Sequence, residues 1–129
     1  MMGPGFSEYP NHKIETIPMK GVVEVFMDGE QVAVSKEAIK LIEDGYPPRF
    51  YIPLRDVKNI ELLKSKENYH CPFKGAAEFY TVKHGANRYA KAAWAYSQPY
   101  DEFTMLKNYI AFYPQKVQLI RVKVKLVRN

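Results

Sequence analysis

The sequence predicts a mainly β domain with one or two short helices. Three observations carry this reading. Aromatic residues make up 14% of the chain and prolines number nine, a combination that favours short strands and turns over long helices. Several segments alternate apolar and polar residues, the period of a half-buried strand. Strands do not alternate with helical segments, which argues against a doubly wound parallel sheet. With 129 residues, 47% of them apolar and 26% charged, the chain fits one globular domain whose core needs no disulfide or metal.

Residues 1–20 hold Pro4, Pro10, Asn11 and His12 without an apolar signal core, and read as an irregular arm before a β-rich domain over 21–129. Segment 21–27 (GVVEVFM) is a strand, Asp28-Gly29 a hairpin turn and 31–34 the returning strand. After Ser35, the apolar residues Ala38, Ile39, Leu41 and Ile42 fit either a capped helix or a turn followed by a strand. Asp44-Gly45-Tyr46-Pro47-Pro48 interrupts the chain. A short strand follows at 49–52, and Asp56 can cap a single turn. Residues 58–64 read as a further strand and 65–68 as a polar loop. Residues 77–83 alternate, with Phe79 and Thr81 on one face, Tyr80 and Val82 on the other. His84-Gly85-Ala86-Asn87 closes a hairpin, and 88–96 returns. Phe103, Leu106, Ile110 and Tyr113 recur at helical spacing between Asp101, a candidate cap, and Pro114, a stop; this predicts a helix over 101–112. The C-terminal strand, 117–127, sets Ile120, Val122, Val124 and Leu126 against Arg121, Lys123 and Lys125.

Composition also narrows function. One cysteine excludes an internal disulfide and zinc sites built on cysteine pairs, and fits a reducing cytoplasmic setting. No run of about 18 apolar residues marks a spanning helix, so no membrane association is expected. The net charge of +5 is spread along the chain and accompanies no nucleic-acid reader motif, so nucleic acid is not an expected partner. His12, His70 and His84 lack a metal-ligand rhythm, and no residue pattern names a cofactor. Phosphate-cradling and dinucleotide glycine fingerprints are both absent.

The densest chemistry lies in Tyr69-His70-Cys71-Pro72-Phe73-Lys74-Gly75, where a thiol, an imidazole and an ammonium fall within five residues. Pro72 biases Cys71 toward extended backbone. Lys74 can favour the thiolate, which makes Cys71 a candidate nucleophile; with no Cys/His/Asn signature in the chain, the favoured reading is a small buried hydrophobe, which free cysteines often are. His70 can act as a base or satisfy a backbone carbonyl, although in a regular strand it would face away from Cys71. Trp94 and Tyr96 lie two residues apart on one strand face, where they either wall a pocket or fill the core.

Four blocks occur together: Arg49-Phe50-Tyr51-Ile52-Pro53 with Asp56-Val57, His70-Cys71-Pro72-Phe73-Lys74-Gly75, Ala92-Ala93-Trp94-Ala95-Tyr96, and Ala111-Phe112-Tyr113-Pro114. In this order and spacing the chain resembles the family called domain of unknown function 427, over about residues 21–118. The resemblance implies a small, mostly β domain of several bent, coiled antiparallel sheets in a tent-like arrangement. It also implies a shared pocket that draws on Tyr51, Asp56, His70, Cys71, Lys74, Tyr80, Trp94 and Tyr96. A nucleotidyltransferase activity sometimes attached to the family has no motif here, since neither paired metal-binding carboxylates nor a phosphate loop is present. The chain departs from the family pattern at Lys91, before Ala92-Ala93-Trp94, and at Leu54.

Three functional expectations follow. The first is a small-molecule binding domain for a small, anionic metabolite, with Lys74 and His70 as charge contacts and Tyr51, Asp56, Tyr80, Trp94 and Tyr96 around the ligand. The second is an enzyme using Cys71 as nucleophile or redox centre, tuned by His70 or Lys74. The third is an interaction module, self-association included, built on the basic C-terminal edge strand.

Overall fold

The structure is a computed structural model that describes residues 1–116 and 119–123. A helical turn, α1 (Gly5–Glu8), precedes strands β1 (Ile14–Pro18), β2 (Val22–Met27), β3 (Glu30–Ser35), β4 (Ile39–Glu43) and β5 (Arg49–Pro53). A 3₁₀ turn (Leu54–Asp56) leads to β6 (Glu61–Cys71), β7 (Gly75–His84) and β8 (Asn87–Pro99). A second 3₁₀ segment (Asp101–Leu106), β9 (Tyr109–Phe112) and β10 (Leu119–Lys123) complete the described chain. The protein is mainly β, as its composition and alternation predict.

Among the described residues all pairings are antiparallel. Seven strands form one sheet in the order β1-β4-β5-β9-β8-β7-β6, and three form a second in the order β10-β2-β3. Neither closes into a barrel. Period-two alternation explains how the large sheet buries both faces. Along β5, Tyr51 enters one apolar cluster and Ile52 the other; along β9, Ile110 and Phe112 enter one and Ala111 the other. The first cluster joins the large sheet to Val23, Val25 and Met27 of β2 and Val32 and Ala33 of β3. The second occupies the opposite face, where Leu41, Tyr51, Trp94, Tyr96, Phe103 and Leu106 meet. Each fully buried aliphatic side chain contributes roughly 1.5–3 kcal/mol of transfer free energy, so two clusters hold the domain without a crosslink.

The large sheet curls strongly. β4 lies near one edge and the β6–β7 turn at the other, yet Glu43 of β4 reaches Lys74 of that turn. Right-handed twist summed over seven strands brings the two edges together and leaves a concave face between them.

Three expectations are corrected. Residues 101–112 are not one helix: the 3₁₀ segment is broken at Phe103 (φ −128°), Asn108 takes a left-handed φ of 66°, and the chain re-enters the sheet as β9. Phe103, Leu106 and Ile110 fit helical spacing, but Ile110, Ala111 and Phe112 are buried on both faces between β5 and β8, an environment for a central strand. Residues 65–68 are not a loop but an irregular stretch of β6, where pairing with β7 shifts between Lys64 and Asn68. Being on an edge strand, these polar side chains remain in water. The N-terminal arm is irregular only in part, since α1 packs Phe6 on Phe73 and β1 pairs with β4. The alternative left open after Ser35 resolves to a turn, with Ser35 Oγ accepting the Glu37 N–H at 3.0 Å, followed by β4. β10 pairs with β2 and is an outer strand of the small sheet; residues 117, 118 and 124–127 of the expected strand lie outside the described residues.

The two hairpin tips are clasped. Asp28 (φ 51°) and Gly29 (φ 79°) turn β2 into β3, and Gly85 (φ 59°) turns β7 into β8. His84 donates from Nδ1 to Asp28 (2.8 Å) and from Nε2 to Glu30 (2.6 Å), while Asn87 and Tyr89 also donate to Asp28. Hydrogen bonds from Tyr89, His84 and Asn87 hold the Asp28 carboxyl at about 2, and those to Asp28 and Glu30 raise His84 above its ordinary 6.5. A raised imidazole pKa means stabilisation that is complete below the unfolded value and lost as pH rises through the folded one. The Asp28 contribution runs the other way: it is complete above 3.8 and lost as pH falls toward about 2. We expect thermal midpoints to fall as pH rises above 6.5, and that component of the fall to vanish in His84→Gln while the acid limb persists. An identical alkaline profile in wild type and variant would contradict the clasp.

Candidate functional site

A cavity of about 350 Å³ opens on the concave face of the large sheet. Two cross-strand rows build it. In one, Tyr51 (β5), Ala111 (β9) and Trp94 (β8) are register partners, followed by Phe79 (β7). In the other, Tyr69 (β6), Ala77 (β7) and Tyr96 (β8) are partners. Each row sets an alanine between two aromatics. The missing side-chain volume lets rings lean over the middle strand and leaves space above it. Trp94 Nε1–H donates to Tyr51 Oη at 3.0 Å, locking both rings in an edge-to-face pair. Burial holds the Tyr51 and Tyr96 phenols far above their ordinary pKa, so both present neutral hydroxyl groups.

The deep wall carries charge. Lys74 Nζ lies 2.5 Å from Glu43 Oε1, with both side chains about nine-tenths buried. His12 Nε2 donates to Glu43 Oε2 at 2.8 Å, and the ammonium sits 5.5 Å from the Tyr96 ring centroid. Both oxygens of the carboxylate are thus engaged, the condition under which a buried ion pair is tolerated. Cys71 also lines the cavity, its Sγ accepting the Lys74 N–H at 3.4 Å across the Pro72–Phe73 turn. Gly75 (φ 115°) ends that turn. A Cβ there would lie 2.6 Å from the Gln98 carbonyl oxygen, so only glycine lets β7 and β8 close behind the site. The N-terminal arm seals the outside: the Gly5 N–H donates to the Pro72 carbonyl at 2.9 Å, and His12 stacks on Phe73 at 4.4 Å.

At the mouth stand the exposed Tyr46, Pro47 and Tyr69, with half-buried Arg49 and Tyr113. The Arg49 guanidinium lies 5.7 Å from the Trp94 ring and 5.6 Å from the Tyr113 ring, and these rings are 4.2 Å apart. Among the described residues no carboxylate lies within ion-pair distance of Arg49.

Of the residues singled out from sequence, Tyr51, Cys71, Lys74, Trp94 and Tyr96 face this one cavity. His70 does not: strand alternation turns it outward, where its Nε2 shares a 2.6 Å hydrogen bond with the Tyr100 hydroxyl. Asp56 lies in the 3₁₀ turn after β5, away from the cavity. Tyr80 faces the other apolar cluster and donates to Glu78 at 3.1 Å. Sequence reading missed His12, Glu43 and Arg49. A signal existed for two of them. Glu43 shares the phase of Ile39 and Leu41, a carboxylate on the buried face of β4, and Arg49 shares the phase of Tyr51. Nothing in the arm flags His12.

Two outcomes test this geometry. Lys74→Met leaves a buried carboxylate with His12 alone and should cost about 3–5 kcal/mol in urea denaturation, while Lys74→Met with Glu43→Leu should recover much of it. Equal losses in the single and double variants would contradict the pair. Gly75→Ala should cost about 1–3 kcal/mol through its left-handed backbone, and more for the overlap with Gln98; an unchanged midpoint would contradict that close approach.

No curated protein matches the chain. The family described as Domain of unknown function (DUF427) matches residues 15–123, from β1 through β10 and therefore both sheets and every strand of the site. By that match over most of its length, the chain belongs to the DUF427 family.

Proposed function

We propose that the protein is a binding domain for a small, planar molecule with one acidic group, received between Tyr51, Trp94, Tyr96 and Tyr113. The observation that carries this reading is Arg49. Its guanidinium rests on two aromatic rings at the mouth of the cavity, and no carboxylate pairs with it among the described residues. The Lys74 charge is matched by Glu43 and His70 faces outward, so Arg49 takes the role of acid contact that sequence alone assigned to those two. A cavity of about 350 Å³ is at the small end of the range for ligand sites, which suits a single-ring compound. The buried free thiol supports a reducing, cytoplasmic setting. Among the described residues no helix is long and apolar enough to cross a membrane.

A second reading, an enzyme with Cys71 as nucleophile, is favoured by one observation: the thiol lines the same cavity. His70 is not its base in this arrangement, and the Lys74 N–H is the group held against the sulfur.

Trp94 is the only tryptophan, so its emission reports on the cavity. Benzoate should change that emission saturably. Arg49→Ala should weaken the apparent affinity about tenfold, or about 1.4 kcal/mol, and benzyl alcohol should bind the wild type as weakly as benzoate binds the variant. Emission that does not respond to benzoate would reject the reading.

A further inference from the structure

We propose that Lys74 captures a small aromatic or conjugated aldehyde or ketone covalently, as an iminium, inside the same cavity. This inference rests on the reading that a small molecule enters there. Lysine is among the residues least often buried unless paired. Here the ammonium is not only paired but borders an open cavity, and so does its partner Glu43. A purely structural ion pair needs no access to a cavity, and apolar residues of similar volume often stabilise a buried site equally well. The two groups instead form the pair that amine–carbonyl condensation needs: a nucleophilic amine and a carboxylate that carries its proton.

The step balances on these residues. Lys74 gives one ammonium proton to Glu43. The freed nitrogen lone pair forms a bond to the carbonyl carbon, and the C=O π electrons move to oxygen. A proton passes from nitrogen to that oxygen, giving a neutral carbinolamine. Glu43 then returns its proton to the hydroxyl, which leaves as water while the nitrogen lone pair closes the C=N bond. Ammonium plus carbonyl becomes iminium plus water. The positive charge begins and ends on nitrogen, 2.5 Å from the Glu43 oxygen in the starting state, so the condensation leaves no new charge in a buried site. His12, donating to the other Glu43 oxygen at 2.8 Å, is a positioning residue that keeps the carboxylate turned toward Lys74. The Tyr96 ring lies 5.5 Å from the nitrogen, so the face that meets the ammonium also meets the iminium that replaces it. The aromatic walls select a flat, conjugated carbonyl compound, and Arg49 favours one that also carries an acid.

The probe is 4-formylbenzoate, reduced in place with cyanoborohydride, with the labelled lysines mapped by peptide mass spectrometry on the full chain. The 4-carboxybenzyl group should appear on Lys74 at least about tenfold above any surface lysine such as Lys13 or Lys64. Excess benzoate, which binds without condensing, should suppress labelling of Lys74 and leave the surface lysines unaltered. Glu43→Gln should slow labelling at Lys74 by roughly a hundredfold relative to the surface lysines of the same protein. Labels spread over surface lysines with Lys74 unmodified would overturn the proposal. If benzoate perturbs Trp94 in that case, the binding site stands and only the covalent step falls. If neither probe acts on the cavity, both readings fall together.

Discussion

The Glu43–Lys74 ion pair is the contact on which the concave side of this protein depends. It joins β4, next to one edge of an open seven-stranded sheet, to the β6–β7 turn at the other. Twist alone would let such a sheet coil, but strand pairing alone would not hold its edges at one separation. A charge pair that is nine-tenths buried does, because withdrawing either partner leaves the other desolvated and unmatched. His12 extends the constraint to the N-terminal arm, which lies across Phe73 as a cover over the seam.

The cavity follows from that constraint together with two alanines. Ala111 and Ala77 each occupy the middle strand of a row whose neighbours are aromatic. Ala77 lines the cavity directly, and a larger side chain there would fill the space under the curl; Ala111 is fully buried beneath the row that holds Tyr51 and Trp94. The site is therefore built largely from regular strands, with only the Pro72–Lys74 turn and Tyr46, Pro47 and Tyr113 at the mouth contributed by connections. Groups on strands are held more rigidly than groups on loops, which suits a pocket whose hydrogen bond between Trp94 and Tyr51 must keep its geometry.

Side-chain alternation carried much of the site in the sequence. Trp94 and Tyr96 share a face because they are two residues apart, and Cys71 and His70 oppose each other because they are adjacent. The same rule, applied to Ile39, Leu41 and Glu43, would have exposed a carboxylate on a buried face. Helical spacing misled at residues 101–112, where the left-handed Asn108 and the burial of Ile110 and Phe112 between two strands decide for β structure. Asp56 and Tyr80 lie close in sequence to Tyr51 and Ala77 of the cavity, yet the turn and strand phase that carry them point elsewhere.

By itself the sequence determined what is local: β content, the turns at Asp28-Gly29 and Gly85, and which neighbours along a strand share a face. These depend on backbone sterics and on a period of two residues. Only the tertiary structure decided that Glu43 meets Lys74 across 31 residues of chain, that His12 completes the pair, and that Arg49 rather than His70 stands over the aromatic wall. Those meetings depend on strand order and on how far a seven-stranded sheet curls, and no short-range pattern in the chain encodes either.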